Sequence, residues 1–311
     1  MQIYYTDHFD LPLPEGHRFP MEKYRLLRQR IVQSEYHRND TLLVPPAASD
    51  EQLLLCHTTR YVNAVFSGGL SQAEIRRIGF PWSEKMVERS RRSTGATIAA
   101  CRAALHDSIA VNLAGGTHHA MSDVGEGYCV FNDAAVAIRV LQSEGLIQRA
   151  CVIDLDVHQG NGTAQILSDD DSVFTLSIHG TKNFPLRKTA SDLDVALDDG
   201  TDDEVYLSAL REALEKVAQN AAQNAPFDLM IYLAGADPYL HDQLGRLGLT
   251  MAGLRQRDEQ VLRWARLNSL PVGIAMAGGY AKKVPDIVDI HASTVHLATE
   301  HYRLMAQQAR K

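Results

Sequence analysis

The chain has 311 residues, 45% of them hydrophobic and 22% charged, with a formal net charge of −7. This balance supports a sizeable core, excludes disorder, gives no support for a basic nucleic-acid footprint, and suits one domain over residues 1–311. No apolar run approaches the ~20 residues that cross a bilayer, and Cys56, Cys101, Cys129 and Cys151 form no CxxC pair, as expected in a reducing compartment.

The N-terminal MQIYYTDHFD begins as a short strand and carries no basic-then-apolar signal pattern. A soluble, cytoplasmic protein is the expectation, with no nucleic-acid partner. Oligomeric state is not legible. Glu88–Arg92, the densest basic stretch, reads as the solvated face of a helix. Five apolar runs then recur between helical stretches: Ile109–Leu113, Ala150–Leu155, Val173–Ile178, Leu229–Leu233 and Val272–Ala277. Continuous instead of alternating, they predict strands buried on both faces of a parallel sheet.

Ile109–Leu113 leads through Gly115-Gly116 to His118 and His119. Histidine suits proton transfer near neutral pH, although a surface His-His pair is an equal reading. Gly125–Asp133 is a glycine-flanked loop rich in aromatics, fit to line an apolar tunnel or to staple a helix start. Asn132 and Asp133 predict an N-cap, followed by Ala134, Ala137, Ile138 and Leu141 at helical spacing.

Ala150–Leu155 runs into DLDVHQGNG. Residues two apart in extended chain face the same side, so Asp156 and His158 can address one point, as two metal ligands must. A carboxylate inside an apolar strand is costly unless it binds a partner. Thr189–Gly200, polar and rich in aspartate, reads as an exposed loop without chemistry. Glu204–Asn224 predicts a helix, stopped by Pro226.

Leu229–Leu233 delivers Asp237 just past its end, a candidate third ligand, although a turn aspartate before proline is the commoner role. Two carboxylates and one imidazole leave an open position, as in catalytic zinc sites. Ferrous iron or cobalt fits the same set. Met251–Leu267 predicts a further helix. Val272–Ala277 opens into Gly278-Gly279-Tyr280, where the phenol can donate to an oxygen that gains charge or simply pack. Strand–helix alternation predicts an α/β fold, a central mostly parallel β-sheet with helices on both faces. Ligands of such folds bind beyond the carboxyl ends of the strands.

Taken together, THHA, GYCVFND, DLDVHQGNG, LAGADP and AGGY, in order from residue 117 to 280, resemble the histone deacetylase superfamily, whose fold is shared with arginases. The opening GHRFPMEKYRLL is similar too. Asn161, where most classes have aspartate, makes class IV and its bacterial relatives the nearest subgroup. The resemblance implies Asp156, His158 and Asp237 as ligands of a zinc-type ion, and His119 as general base and then acid. It makes His118 the electrostatic partner of His119, oriented by Asp154, and sets Asn161 against His119. Tyr280 would polarise the scissile carbonyl. Gly127 and Tyr128 would line an acyl tunnel, with Phe184 as its opposite wall. Arg18 falls at the arginine of an interior channel for the released acid. Potassium would bind the backbone carbonyls of Asp154, Asp156 and His158, with Ser177 as a further ligand.

The expected activity is hydrolysis of acetyl or longer fatty acyl groups from lysine side chains in proteins or from related acyl-amines. An arginase-like ureohydrolase would need further bridging acids where Gln159 and Asn161 stand. A non-catalytic acyl-lysine binding module is disfavoured by the retained His118, His119 and Tyr280. Acetylpolyamine enzymes carry a glutamate seven residues after the third ligand, and Leu244 stands there.

Overall fold

In the computed structural model, which describes residues 1–9 and 11–308, the apolar runs become neighbours in one sheet. The strands are β1 (Gln2–Tyr4), β2 (Thr41–Leu43), β3 (Ile109–Asn112), β4 (Ala150–Asp154), β5 (Val173–Gly180), β6 (Leu193–Leu197), β7 (Leu229–Leu233) and β8 (Val272–Ala275). All their pairings are parallel, in the order β2-β1-β3-β8-β7-β4-β5-β6. The helices are α1 (Glu22–Val32), α2 (Asp50–Leu54), α3 (Thr59–Ser67), α4 (Gln72–Ile78), α5 (Glu84–Asp107), α6 (Asp133–Ser143), α7 (Asn161–Leu167), α8 (Asp203–Gln223), α9 (Met251–Leu267) and α10 (Val284–Gln308).

The continuous apolar runs divide by alternation. Ile109, Val111, Cys151, Ile153, Met230 and Tyr232 enter the core that packs α8, α9 and α10. Ala110, Ala150, Val152, Leu229, Ile231 and Leu233 enter the opposite core under α5 and α6. A strand covered on both faces needs apolar side chains at every position, which is why no alternation shows. The predicted helices form where expected, and Asn132 caps α6 by accepting from the Ala135 N–H at 3.0 Å. Among the described residues no helix is long and apolar enough to cross a membrane.

Two expectations are corrected. Thr189–Gly200 is not all loop: it contains β6, whose Leu193, Val195 and Leu197 turn toward the sheet while Asp194 and Ala196 are exposed. Asp192, Leu193, Asp194 and Val195 do alternate polar with apolar, but aspartate is depleted in strands, so the composition reads as loop. Nor is Glu88–Arg92 wholly a solvated face. Arg89 is buried, with its guanidinium over the rings of Phe19, Tyr24 and Phe80.

The strand order decides where chemistry can assemble. β3, β8, β7 and β4 are consecutive neighbours, and their carboxyl ends lead to His118 and His119, Tyr280, Asp237, and Asp156 with His158 respectively.

Candidate active site

Asp156, His158 and Asp237 converge, each offering a ligand atom within 4.8 Å of the others. All three are buried. The Val157 N–H donates to Asp237 Oδ1 at 2.9 Å, tying the ends of β4 and β7 together. The Gly278 N–H donates to Asp156 Oδ2 at 2.8 Å, bringing in β8. Gly278 has to be glycine, because a Cβ there would lie 2.0 Å from Asp237 Oδ2.

This trio fits a divalent ion. Asp237 Oδ2 is buried without a hydrogen-bond partner among the described residues, although His158 Nδ1 stands 3.2 Å away. Burial, then the Asp156 charge, pushes the Asp237 carboxyl up to about 7. Burial draws the His158 imidazole down, but its bonds to Asp156 and Asp237 outweigh that and push it up to about 10. The Asp237 carboxyl and the His158 imidazole thus hold protons that a cation would displace, while His118 and His158 hold the Asp156 carboxyl well below the usual carboxylate range despite its burial. Two oxygens and one nitrogen leave room for a fourth ligand.

Beside the trio, the rings of His118 and His119 lie 4.1 Å apart. His118 Nδ1 meets Asp154 Oδ2 at 2.6 Å. Burial disfavours the imidazolium of His118, but the charges of Asp154 and Asp156 prevail and raise its pKa to about 9. Burial, with the positive charges of His118 and His158, pushes His119 well below the usual histidine value. His119 Nδ1 meets Asn161 Oδ1 at 2.7 Å. The Asn161 amide in turn donates to Glu126 Oε1 at 2.7 Å.

Tyr280 stands across from these histidines. Its ring centroid is 6.2 Å from that of His158, and its backbone N–H donates to Asp242 Oδ2 at 2.6 Å. Buried Lys23 lies behind it, donating to the Gly279 carbonyl at 3.2 Å. Phe184 stands perpendicular to His119 at 4.8 Å. Phe184, Gly127, Tyr128 and Leu244 line a mouth cavity of about 560 Å³. Gly127 has φ +57°, and a Cβ there would lie 2.6 Å from His119 Cδ2. Tyr128 also has a positive φ, 67°, held by its N–H bond to the Ile78 carbonyl at 2.7 Å. Strain of this kind clusters where a side chain has to be aimed.

The mouth narrows to an inner chamber of about 30 Å³ lined by His118, His119, Tyr280, Phe19, Tyr24 and Arg89. Beyond Phe19, Tyr24 and Arg89 opens an outer cavity of about 610 Å³. Arg18 is exposed and does not line the chamber. The buried guanidinium there is that of Arg89, which reaches in from α5. Arg18 precedes Phe19, and it is Phe19 that turns inward.

Four further supports escaped the sequence reading. Glu126 connects Asn161 to Arg77, whose Nε donates at 2.6 Å. Asp133, in the first turn of α6, accepts from the Gly116 and Thr117 N–H groups at 2.9 and 2.7 Å, fastening the turn that presents His118. Arg257 is fully buried and donates to the carbonyls of Leu155 and Gly235 at 3.3 and 2.6 Å. Lys23 is the fourth. Glu126 and Asp133 lie inside the aromatic loop already singled out, and Lys23 inside the opening GHRFPMEKYRLL; Arg257 has no local signal. Ser177, named for potassium, pairs in register with Asp154 across β4 and β5.

The histone deacetylase domain model matches residues 17–295. An uncharacterized protein of Picosynechococcus is 41% identical over 96% of this chain and 98% of its own length. Histone deacetylase 2 of Arabidopsis thaliana is 31% identical over 93% of this chain and 76% of its own. The crystal structure of an HDAC homologue from Aquifex aeolicus shares the fold, with a TM-score of 0.78, 23% identity, and coverage of 98% and 84%.

Proposed function

Since the chain belongs to the histone deacetylase family and is a deacetylase-type hydrolase, we propose that it removes acetyl groups from the ε-amine of lysine or from related acyl-amines. Residues 1–311 act as one catalytic domain. Asp156, His158 and Asp237 would hold the metal, zinc first and ferrous iron second. When bound, the ion supplies Lewis acidity toward the acyl carbonyl and the attacking water.

The protein's own groups do the rest. Glu126 accepts from the Asn161 amide, so Asn161 turns Oδ1 to His119, whose Nδ1 then carries the proton. Nε2 is left with a free lone pair on the chamber side. His118, held cationic by Asp154, keeps its neighbour neutral and able to act as base. His119 takes the proton of the attacking water and later returns one to the leaving amine. Tyr280 donates to the oxyanion. Gly127, Tyr128 and Phe184 guide the acyl-amine, and Arg89 takes the inner-channel role expected of Arg18. Potassium held near Asp154 and Ser177 would stiffen the β4 end.

The observation that carries this reading is the convergence of Asp156 and His158, with Asp237 beside them, and of His119 and Tyr280 on one chamber. Its volume, about 30 Å³, has room for roughly two waters, which favours acetyl over fatty acyl chains. A long chain would have to part Phe19, Tyr24 and Arg89. The test is turnover of acyl-lysine peptides from acetyl to myristoyl by protein loaded with zinc, cobalt or ferrous iron. Acetyl should be preferred, chelation should abolish activity, and metal should restore it. Metal binding without turnover of any acyl-amide would favour a binding module instead.

A further inference from the structure

The mouth of the site is charged against the trend of the chain. The sequence carries a net −7, yet Arg76, Arg77, Lys182 and Arg246 all line the mouth, and Glu126 is its single acidic lining residue. Glu126 is buried and already committed to Arg77 and Asn161, so it offers incoming substrate little charge. Lys182 and Arg246 share one carboxylate, Asp199 Oδ2, at 3.6 and 3.3 Å. Arg76 is exposed, and the nearby acids Glu74 and Glu126 are taken by Arg60 and Arg77. Four cations thus face two carboxylates, an excess of two positive charges. Exposed Arg18, whose charge acts on Tyr128, adds the same sign.

We infer that this mouth selects acyl-amines bearing negative charge beside the scissile amide, and that it turns polycations away. The inference rests on the acyl-amide hydrolysis proposed above. An acidic peptide segment is the favoured occupant over a small anionic amine. The cations come from three separate segments, α4, the stretch after β5 and the loop before α9, around about 560 Å³, a span that one carboxylate cannot engage. Within a Debye length of about 8–10 Å such an excess steers oppositely charged ligands in and raises their local concentration. Polyamines and lysine-rich tails meet the same field as repulsion. Leu244 at the mouth adds no compensating acid.

The test compares acetyl-lysine peptides of one length flanked by aspartate and glutamate, by serine and glycine, or by lysine and arginine. Nα,Nε-diacetyl-lysine and acetylspermidine are included, at low and high salt. The kcat/KM of the acidic peptide should exceed that of the basic one roughly tenfold at low salt, carried mainly by KM, and the gap should shrink as salt rises. The Kd values of the same labelled peptides should rank alike. Arg76→Glu with Arg246→Glu should reverse the ratio, and Arg76→Gln with Arg246→Gln should flatten it. Equal or opposite preference, or a preference that persists in the charge-reversed protein, overturns the inference. If free Nα,Nε-diacetyl-lysine, whose carboxylate is its one charge, alone shows the gain, the small-anion source replaces the acidic peptide. Absence of turnover even on the neutral peptide would instead strike the hydrolase reading, and the Kd series would still decide the charge preference.

Discussion

His119 Nδ1 and Asn161 Oδ1 lie 2.7 Å apart, and this contact sets a tautomer as well as a position. Since Glu126 receives the Asn161 amide hydrogens, the asparagine has only its oxygen to offer, and His119 must donate from Nδ1. A neutral partner orients the imidazole without stabilising its protonated form as a carboxylate would.

Asn161→Asp should therefore raise the apparent pKa on the acidic limb of the kcat/KM profile by about one unit or more. At present burial and the charges of His118 and His158 hold His119 well down. A carboxylate beside Nδ1 opposes all three. A pH–rate profile that overlays the wild type would refute the pairing.

Glu126 acts one step further out. Glu126→Leu removes the group that prevents the Asn161 amide from flipping, and should lower kcat about 10–100-fold, the range typical of outer supporting partners, with little change in KM. Glu126→Gln retains an acceptor and should keep most of the activity. Equal losses in both variants would mean that charge, not amide orientation, is what matters.

How far the site is legible depends on how many elements each residue needs. Asp156 and His158 are readable because two candidate ligands sit within one extended segment. Asp237 follows because β7 is the next strand, with Leu233 in register with Asp154, so equivalent distances beyond the strand ends meet. Arg89 and Arg18 reverse their expected places because only tertiary packing decides which side of the Phe19 segment faces inward. β6 does alternate polar with apolar, but its aspartates give it the composition of a loop, and Arg257 acts on carbonyls 102 and 22 residues away. No local pattern carries such distances.

Arg257 clamps the two segments that bear Asp156, His158 and Asp237, and its charge is met by Asp258, 2.8 Å from Nη2. Asp258 also receives the hydroxyls of Tyr232 and Thr294. Arg257→Met leaves that carboxylate buried and unmatched, which should cost about 3–5 kcal/mol of stability. Metal affinity should fall about 10–100-fold. Denaturant unfolding of the apo protein and a zinc titration measure the two separately. Loss of stability with unchanged zinc affinity would reduce Arg257 to a core residue.

Acid should loosen the site through His57. Its Nδ1 lies 3.0 Å from the Met121 carbonyl and so donates, while Nε2 accepts the Asn132 N–H at 3.0 Å; only neutral imidazole satisfies both. Burial pulls its pKa down to about 4, partly resisted by backbone bonds at Met121 and Ser122. Above pH 6.5 both folded and unfolded chains carry neutral His57, and its contribution is complete. Between 6.5 and 4 the unfolded chain gains a proton that the native state refuses, so stability falls with pH. Below about 4 both are protonated and the loss is flat. A depression from 6.5 to about 4 corresponds to about 3 kcal/mol. The stability difference between wild type and His57→Gln, followed by urea unfolding, should shrink by that amount from pH 7 to pH 4, other titrations cancelling. A constant difference would rule out the assignment. Because Asn132 caps α6 and Asp133 fastens the turn before His118, the same acid range should disorder His118 and His119 before the sheet melts.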